Sequence, residues 1–162
     1  MSFPIDGYQL IQGSTLDRAR LIGFMQRTYQ ELGNGQETDH LLQTVDQYLS
    51  QETPLWWVIA ESASNSGNPR TLIPPVACLW LGTAIDQRNG DHHAYLLLLY
   101  VLPEHRRRGI GLALMQQAHQ WSKARGDRQI SLQVFEDNSA ALSLYKQLGY
   151  QTTARLMHRI WE

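Results

Sequence analysis

The sequence predicts a single α+β domain, and three observations carry that prediction. Some stretches repeat apolar residues at helical spacing, short runs between them have strand composition, and no linker, repeat or low-complexity tract divides the 162 residues. Helices and antiparallel strands come first; strand, helix, strand, helix and strand then follow. A chain of this length with 43% apolar residues buries enough surface to build a core without staples.

Tyr8 to Gln12 reads as a short first strand. Ser14-Thr15-Leu16-Asp17 then places a capping hydroxyl and a first-turn acid at a helix start, and Leu21, Met25, Thr28 and Leu32 form a stripe ending at Gly33-Asn34-Gly35. A second amphipathic stretch starts near Thr38, carries Leu41, Leu42, Val45, Tyr48 and Leu49 on one face, and is ended by Pro54. Leu55 to Ala60 is a strand by its aromatic and β-branched content, while the Ser-, Asn- and Gly-rich stretch from Ser62 to Arg70 is a loop. Val76 to Ile85 and Ala94 to Leu102 flank an Asn89-Gly90 turn signal and form a hairpin. Four consecutive leucines favour a helix by propensity, but the run is short and Pro103 pushes Leu102 toward extended geometry. It reads as a strand buried on both faces. From Gly109 the spacing of Leu112, Met115, Ala118, His119 and Ser122 is helical, up to Arg125-Gly126. Ile130 to Phe135 is the next strand. Asn138 opens a helix lined by Ala141, Leu144, Tyr145 and Leu148 and closed by Gly149, and Tyr150 to Trp161 is a last strand.

Fourteen Lys and Arg against fifteen Asp and Glu give a net charge of −1, so no global field draws the chain to nucleic acid or anionic lipid. The lone cysteine, Cys78, closes no intrachain disulfide, and the start Met1-Ser2-Phe3-Pro4 lacks the basic and apolar regions of a signal peptide. The expected compartment is the cytoplasm. The longest apolar run, Ala94 to Leu102, has nine residues, against ~20 for a spanning helix.

The informative segment runs from Val101 through Pro103, Glu104, Arg106, Arg107, Arg108, Gly109 and Ile110 to Gly111, between a strand and a helix. The first N–H groups of a helix lack internal partners and the dipole adds partial positive charge, so such a start attracts phosphate. Glycines let the backbone approach closely, and arginines add charge-assisted hydrogen bonds to a pyrophosphate. The plain alternative is a solvated turn punctuated by glycines. No Gly-Lys-Ser or Gly-Lys-Thr follows, which argues against a P-loop, and the third glycine and repeated βαβ half of a dinucleotide fold are missing.

Val101-x-Pro103-Glu104-x-Arg106-x-x-Gly109-x-Gly111 resembles the pyrophosphate-binding signature of the GNAT superfamily of acetyl-CoA-dependent N-acetyltransferases. Asn138-x-x-Ala141-x-x-Leu144-Tyr145-x-x-x-Gly149-Tyr150 is similar to its second acetyl-CoA motif. The resemblance implies an α/β/α architecture in one domain of residues 1–162. A mixed, mostly antiparallel central sheet would be flanked by about four helices, with a parallel strand pair around the acetyl-CoA site. It also implies that the backbone of Leu99 and Val101 pairs with the pantetheine arm and that Arg106, Arg107, Arg108, Gly109, Ile110 and Gly111 hold the pyrophosphate. Asn138 would touch the pantetheine arm and Tyr145 would protonate the leaving sulfur. Two helical turns, about 10.5 Å, separate Asn138 from Tyr145 along one face. The plain alternatives are a helix cap and a core tyrosine.

Acyl transfer to an amine needs a neutral nucleophile, a polarised carbonyl and a proton for the departing thiolate. Many GNAT relatives place a glutamate base on the strand before the signature; here that stretch is Leu96-Leu97-Leu98-Leu99. His92 and His93 at the strand start, or Glu136 and Asp137, are the remaining candidates for a base. Cys78, beside Trp80, has no activating neighbour and reads as core. A lysine-like amine is neutral about once per thousand molecules at pH 7.4, an α-amine roughly a quarter of the time, so a site without a base favours the second. The expected activity is therefore acetyl transfer from acetyl-CoA to a primary amine of a small molecule or peptide N-terminus, in a ternary complex and without a metal. A reading from another class is a non-catalytic acyl-CoA-binding regulatory module, favoured by the missing glutamate and opposed by Tyr145. Nucleic-acid binding through the arginine run is opposed by the balanced charge. No membrane partner is implied, and pairing through exposed strands allows a homodimer.

Overall fold

Ser14 and Asp17 close a capping box: the Ser14 hydroxyl accepts from the Leu16 amide at 3.2 Å, and the Ser14 amide donates to the Asp17 carboxylate at 2.9 Å. Such caps pair amides that a helix start leaves free and are worth ~1 kcal/mol. The computed structural model describes residues 3–33, 39–61 and 73–162. Within them the capped start leads through a 3₁₀ turn at Thr15–Asp17 into α1 (Arg18–Glu31). The other elements are β1 (Tyr8–Gln12), α2 (Asp39–Tyr48), β2 (Leu55–Ala60), β3 (Ala77–Ile85), β4 (His92–Val101), α3 (Ile110–Arg125), β5 (Ile130–Ser131) and α4 (Ser139–Gln147). The expected helix start near Thr38 and the loop from Ser62 to Arg70 lie outside the described residues.

The chain forms two compact units, Met1–Leu132 and Gln133–Glu162. In the first, five strands run in the order β1-β2-β3-β4-β5, antiparallel except for the parallel pair β4–β5. The mixed, mostly antiparallel sheet expected from the resemblance is therefore present. Alternate residues of a strand share a face. Leu55 and Trp57, Cys78 and Trp80, and Leu98 and Tyr100 use that rule to meet Leu21, Phe24 and Met25 of α1 and Leu41 and Val45 of α2. The buried face of α1 includes Ile22 and Phe24, which the expected stripe omits; Thr28, which it includes, donates its hydroxyl to the Phe24 carbonyl at 2.9 Å. Phe24 lies edge-on to both Trp57 and Tyr100, at 5.3 and 5.7 Å between ring centres. Its size lets one side chain join the helix layer to two strands. α3 packs on β3 and β4, burying Ile110, Ala113, Leu114, Met115 and Ala118.

β4 departs from the expectation of full burial on both faces. Leu96, Leu98 and Tyr100 are buried, but Leu97, Leu99 and Val101 are half-buried. Trp80 pairs with Leu98 and Leu81 with Leu96, so Leu97 is an extra residue in the ladder, a β-bulge. Both Leu97 and Leu98 consequently pack against the α1–α2 core. Gly82 makes room for this: a Cβ there would lie 2.9 Å from Leu97 Cδ1.

Two expected strands are corrected. Ile130 to Phe135 contracts to Ile130–Ser131, and Tyr150 to Trp161, expected as a last strand, has no regular secondary structure and is exposed beyond Tyr150. The reason is visible in the pattern: Leu156-Met157 and Ile160-Trp161 are adjacent apolar pairs, whereas a half-buried strand needs alternation. In the second unit α4 buries Tyr145. No helix among the described residues is long and apolar enough to cross a membrane.

Candidate active site

The register of β4 gives its backbone a direction. The Leu102 amide donates to the Val76 carbonyl at 2.8 Å, and hydrogen-bonded pairs alternate along an antiparallel ladder. Leu99 and Val101, opposite Leu79 and Ala77, therefore turn their N–H and C=O groups away from β3. On that far edge β4 pairs with β5 only at Ala94 and Tyr95. An open edge of this kind can pair with an extended ligand that carries amides.

The first residues of β4 are tied to the α3–β5 connection. One Asp127 carboxylate accepts from the Ala94 amide at 2.8 Å, the Ser122 hydroxyl at 3.0 Å and two Arg125 nitrogens at 2.8 and 2.7 Å. Burial pushes the Asp127 carboxyl up, but these bonds outweigh it and hold it below its ordinary value. His93 is buried beside them. The Gln129 side-chain amide donates to its Nδ1 at 3.2 Å, which leaves Nε2–H to donate to the Ser131 hydroxyl at 2.7 Å. His93 is thus a strut between β4 and β5, and this occupies both ring nitrogens of one sequence-suggested base. His92 is exposed.

Beyond β4, Pro103–His105 forms a 3₁₀ turn and the chain reaches α3 through two left-handed residues, Arg107 at φ 63° and Gly109 at φ 86°. Arg107 is the one residue other than glycine with positive φ among the described residues, a conformation that costs ~1–3 kcal/mol. Gly109 caps α3 without a side-chain hydrogen bond, and Ile110 anchors the helix start in the core. The result is a helix N-terminus without a side-chain hydrogen-bond cap among the described residues.

The three arginines of the turn have different surroundings. Arg106 donates through Nε to the Val101 carbonyl at 2.8 Å and through Nη2 to both Glu31 oxygens at 2.9 and 2.7 Å, with its guanidinium 5.4 Å from the Tyr100 ring centre. The Tyr100 hydroxyl donates to the same Glu31 carboxylate. Burial pushes Glu31 up, yet the bonds from Tyr100 and Arg106 hold its carboxyl below the ordinary value; burial and Glu31 together push the Tyr100 phenol to about 12. Arg108 donates to the Tyr8 hydroxyl at 2.7 Å, and that hydroxyl lies 2.8 Å from His105 Nδ1. Arg107 has no side-chain partner among the described residues. Tyr8, Glu31 and Tyr100 were not singled out by sequence reasoning. Only Glu31 left a trace: an acid in the last turn of a helix is disfavoured by the dipole unless a cation compensates it.

In the second unit Asn138 Oδ1 accepts from the Ala141 amide at 3.3 Å, so Asn138 is a helix cap. Tyr145 is buried, edge-on to Tyr150 at 5.7 Å, and burial pushes its phenol to about 12. Glu136 and Asp137 are exposed. Cys78 is buried in the core, and burial pushes its thiol well above the ordinary value, as expected of an inert cysteine. Among the described residues no three His, Cys, Asp or Glu side chains are grouped to share a metal ion.

The profile of the acetyltransferase (GNAT) family matches residues 21–150. The chain belongs to the GNAT acetyltransferase family. An uncharacterised N-acetyltransferase of Methanocaldococcus jannaschii is 34% identical over 74 residues, which are 46% of this chain and 31% of that protein. An aminoglycoside N(6′)-acetyltransferase type 1 of Acinetobacter genomosp. 13 is 34% identical over 65 residues, 40% of this chain and 44% of that protein. The matched stretches thus span less than half of these relatives. The crystal structure of an aminoglycoside antibiotic 6′-N-acetyltransferase from Acinetobacter baumannii superposes with a TM-score of 0.69 over 96% of this chain and 99% of that one, at 19% identity. That likeness is one of fold, and it agrees with the GNAT sheet described above.

Proposed function

We propose that this GNAT chain is an N-acetyltransferase that moves the acetyl group of acetyl-CoA to a primary amine by direct attack in a ternary complex, residues 1–162 acting as one domain. The observation that carries the proposal is the turn from Arg106 to Gly111, which opens into a helix start without a side-chain cap beside the edge of β4 at Leu99 and Val101, which β5 does not reach and where the Val101 carbonyl accepts from Arg106. These groups fit acetyl-CoA, whose pyrophosphate suits exposed amides and whose pantetheine arm carries amides of its own. When bound, acetyl-CoA supplies the activated thioester. Leu99 and Val101 orient the arm through the strand edge, while the amides from Arg107 to Gly111 and the unpaired Arg107 guanidinium neutralise phosphate charge. Asn138 keeps its amide nitrogen for the arm while its oxygen caps α4. With a phenol pushed to about 12, Tyr145 retains its proton at neutral pH, so it is suited to donate to the leaving sulfur and unsuited to act as a base. The family match runs through both motifs, which supports one working domain.

Leu96 to Leu99 stand where the resemblance calls for a glutamate, and His93 has both nitrogens engaged. The attacking amine must then be neutral on arrival, which favours acceptors of lowered pKa such as peptide N-termini, amino acids or aminoglycosides. The aminoglycoside acetyltransferases among the relatives support the last class. The test is acetyl-CoA consumption at pH 7.4 with an aminoglycoside, a peptide with a free N-terminus, and its N-blocked twin carrying one lysine. Gly111→Glu, which adds bulk and like charge at the helix start, serves as the blank. Unaltered acetyl-CoA binding by folded Gly111→Glu would sink the site assignment, and a clear preference for the blocked lysine peptide would sink the acceptor class. The absent glutamate favours one other reading, a non-catalytic acyl-CoA-binding module; binding without consumption against every amine would support it.

A further inference from the structure

Tyr8 stands at the start of β1, 100 residues before Arg108, and its hydroxyl is where two side chains of the signature turn meet. Arg108 Nη1 approaches it at 2.7 Å and His105 Nδ1 at 2.8 Å. The tyrosine is buried, and its ring meets the imidazole edge-on at 5.6 Å. A guanidinium can only donate, so the Tyr8 oxygen accepts from Arg108, and the same hydroxyl hydrogen-bonds to His105 Nδ1 in the sense that the imidazole tautomer sets. The Tyr8 hydroxyl thus links Arg108 to His105. Between the two anchored residues lies Arg107 at φ 63°. A non-glycine residue persists in that region only where its surroundings over-determine it. Glu31, through Arg106, grips the turn on one side of Arg107, and Tyr8 grips it on the other.

We infer that Tyr8 is a positioning residue for acetyl-CoA: its hydroxyl holds Arg108 and His105 so that the amides from Arg107 to Gly111 are aligned before a pyrophosphate reaches them. The inference rests on reading this turn as the acetyl-CoA site, and it adds a residue on the far strand of the sheet to that site's machinery. Arg108 in this arrangement acts on the turn, and Arg107 is left to face the ligand.

Tyr8→Phe keeps the ring and its contact with His105 and removes the hydroxyl alone. Acetyl-CoA is titrated calorimetrically into the native chain, Tyr8→Phe, Arg108→Gln and the double variant, with thermal melts in the absence of ligand. The expected result is an affinity about tenfold lower in Tyr8→Phe at a nearly unchanged melting temperature, the worth of a hydrogen bond to a charged group. Arg108→Gln should lose a similar factor and the double variant no more than either, since both act through one contact. A native chain that does not bind acetyl-CoA overturns the reading of the turn and the inference with it. Binding by the native chain and equally by Tyr8→Phe overturns the inference alone, as do losses that simply add. Should Tyr8→Phe melt below the titration temperature, His105→Gln, which keeps a hydrogen-bonding partner for the Tyr8 hydroxyl, is compared with His105→Leu, which does not. The inference expects tighter binding by His105→Gln, and equal affinities overturn it.

Discussion

Alanine substitutions at the two ends of α3 separate the cost of a backbone conformation from the loss of a ligand site. Gly109 and Gly126 flank the helix, and both lie in the left-handed region, at φ 86° and 92°. A Cβ in that region crowds the following carbonyl and costs ~1–2 kcal/mol. At Gly126 nothing lies within 4 Å of the Cβ position, so the conformational cost stands alone. At Gly109 the Cβ would meet Ile5 Cδ1 at 3.3 Å, the end of a flexible side chain that can yield by a few tenths of an ångström. The steric addition is therefore small. Gly109→Ala and Gly126→Ala should each lower the melting temperature by about 2–8 °C. They should differ in binding. The C-terminus of α3 lies 16 residues, ~24 Å, from the turn, so Gly126→Ala should keep native affinity for acetyl-CoA. Gly109→Ala shifts the chain where the amides converge and should weaken binding by at least about tenfold, the loss of one charge-assisted bond. Scanning calorimetry and isothermal titration on the same preparations read both quantities. Native affinity in Gly109→Ala would refute the claim that the left-handed cap shapes a phosphate cradle, and an unchanged melting temperature in Gly126→Ala would refute the conformational arithmetic.

Three further outcomes follow from the same geometry. Tyr145→Phe should reduce turnover by about 10²–10⁴-fold while acetyl-CoA affinity, read by titration, stays within about twofold; normal turnover would exclude the donor role. Arg107→Gly should raise the melting temperature by relieving the positive φ and should lower acetyl-CoA affinity by about tenfold, a trade of stability against function that titration and melting read together. Glu31 has a carboxyl pKa below its ordinary 4.5, so its contribution to stability is complete above about pH 4.5 and is lost as pH falls through the folded-state value. With Arg106 and Glu31 side chains 42% and 39% exposed, that contribution is about 1 kcal/mol at most. The melting-temperature gap between the native chain and Glu31→Gln should be constant from pH 6 to 8 and close below pH 4.5, and a gap that widens in acid would contradict the ion pair.

What the sequence made legible was local. The Ser14–Asp17 cap, the strands flanking Asn89-Gly90 and the start of α3 at Gly109 each follow from residues within a turn or two of one another, and each stands where expected. The bulge at Leu97 was hidden because one leucine among four carries no mark of being the unpaired one; the ladder to β3 and the space at Gly82 decide it. The last expected strand failed for the converse reason. Tyr150 to Trp161 has the composition of a strand, yet its apolar residues come in adjacent pairs and a strand exists only where a neighbour completes its hydrogen bonds.

The arginine run shows the same limit inside the candidate site. Arg106, Arg107 and Arg108 are chemically identical in sequence, and a reading by composition assigns all three to phosphate. Their environments are set from far along the chain: Glu31 is 75 residues from Arg106, and Tyr8 is 100 from Arg108. Each of those partners takes one guanidinium into the scaffold. Arg107, between them, bears the strained φ and has no side-chain partner among the described residues. The positive φ of Arg107 costs stability, whereas the side-chain bonds of its two neighbours help to hold the turn in shape. Division of labour within a charge run is therefore a property of tertiary contacts, and the residues to mutate first are the distant Tyr8 and Glu31 as much as the arginines themselves.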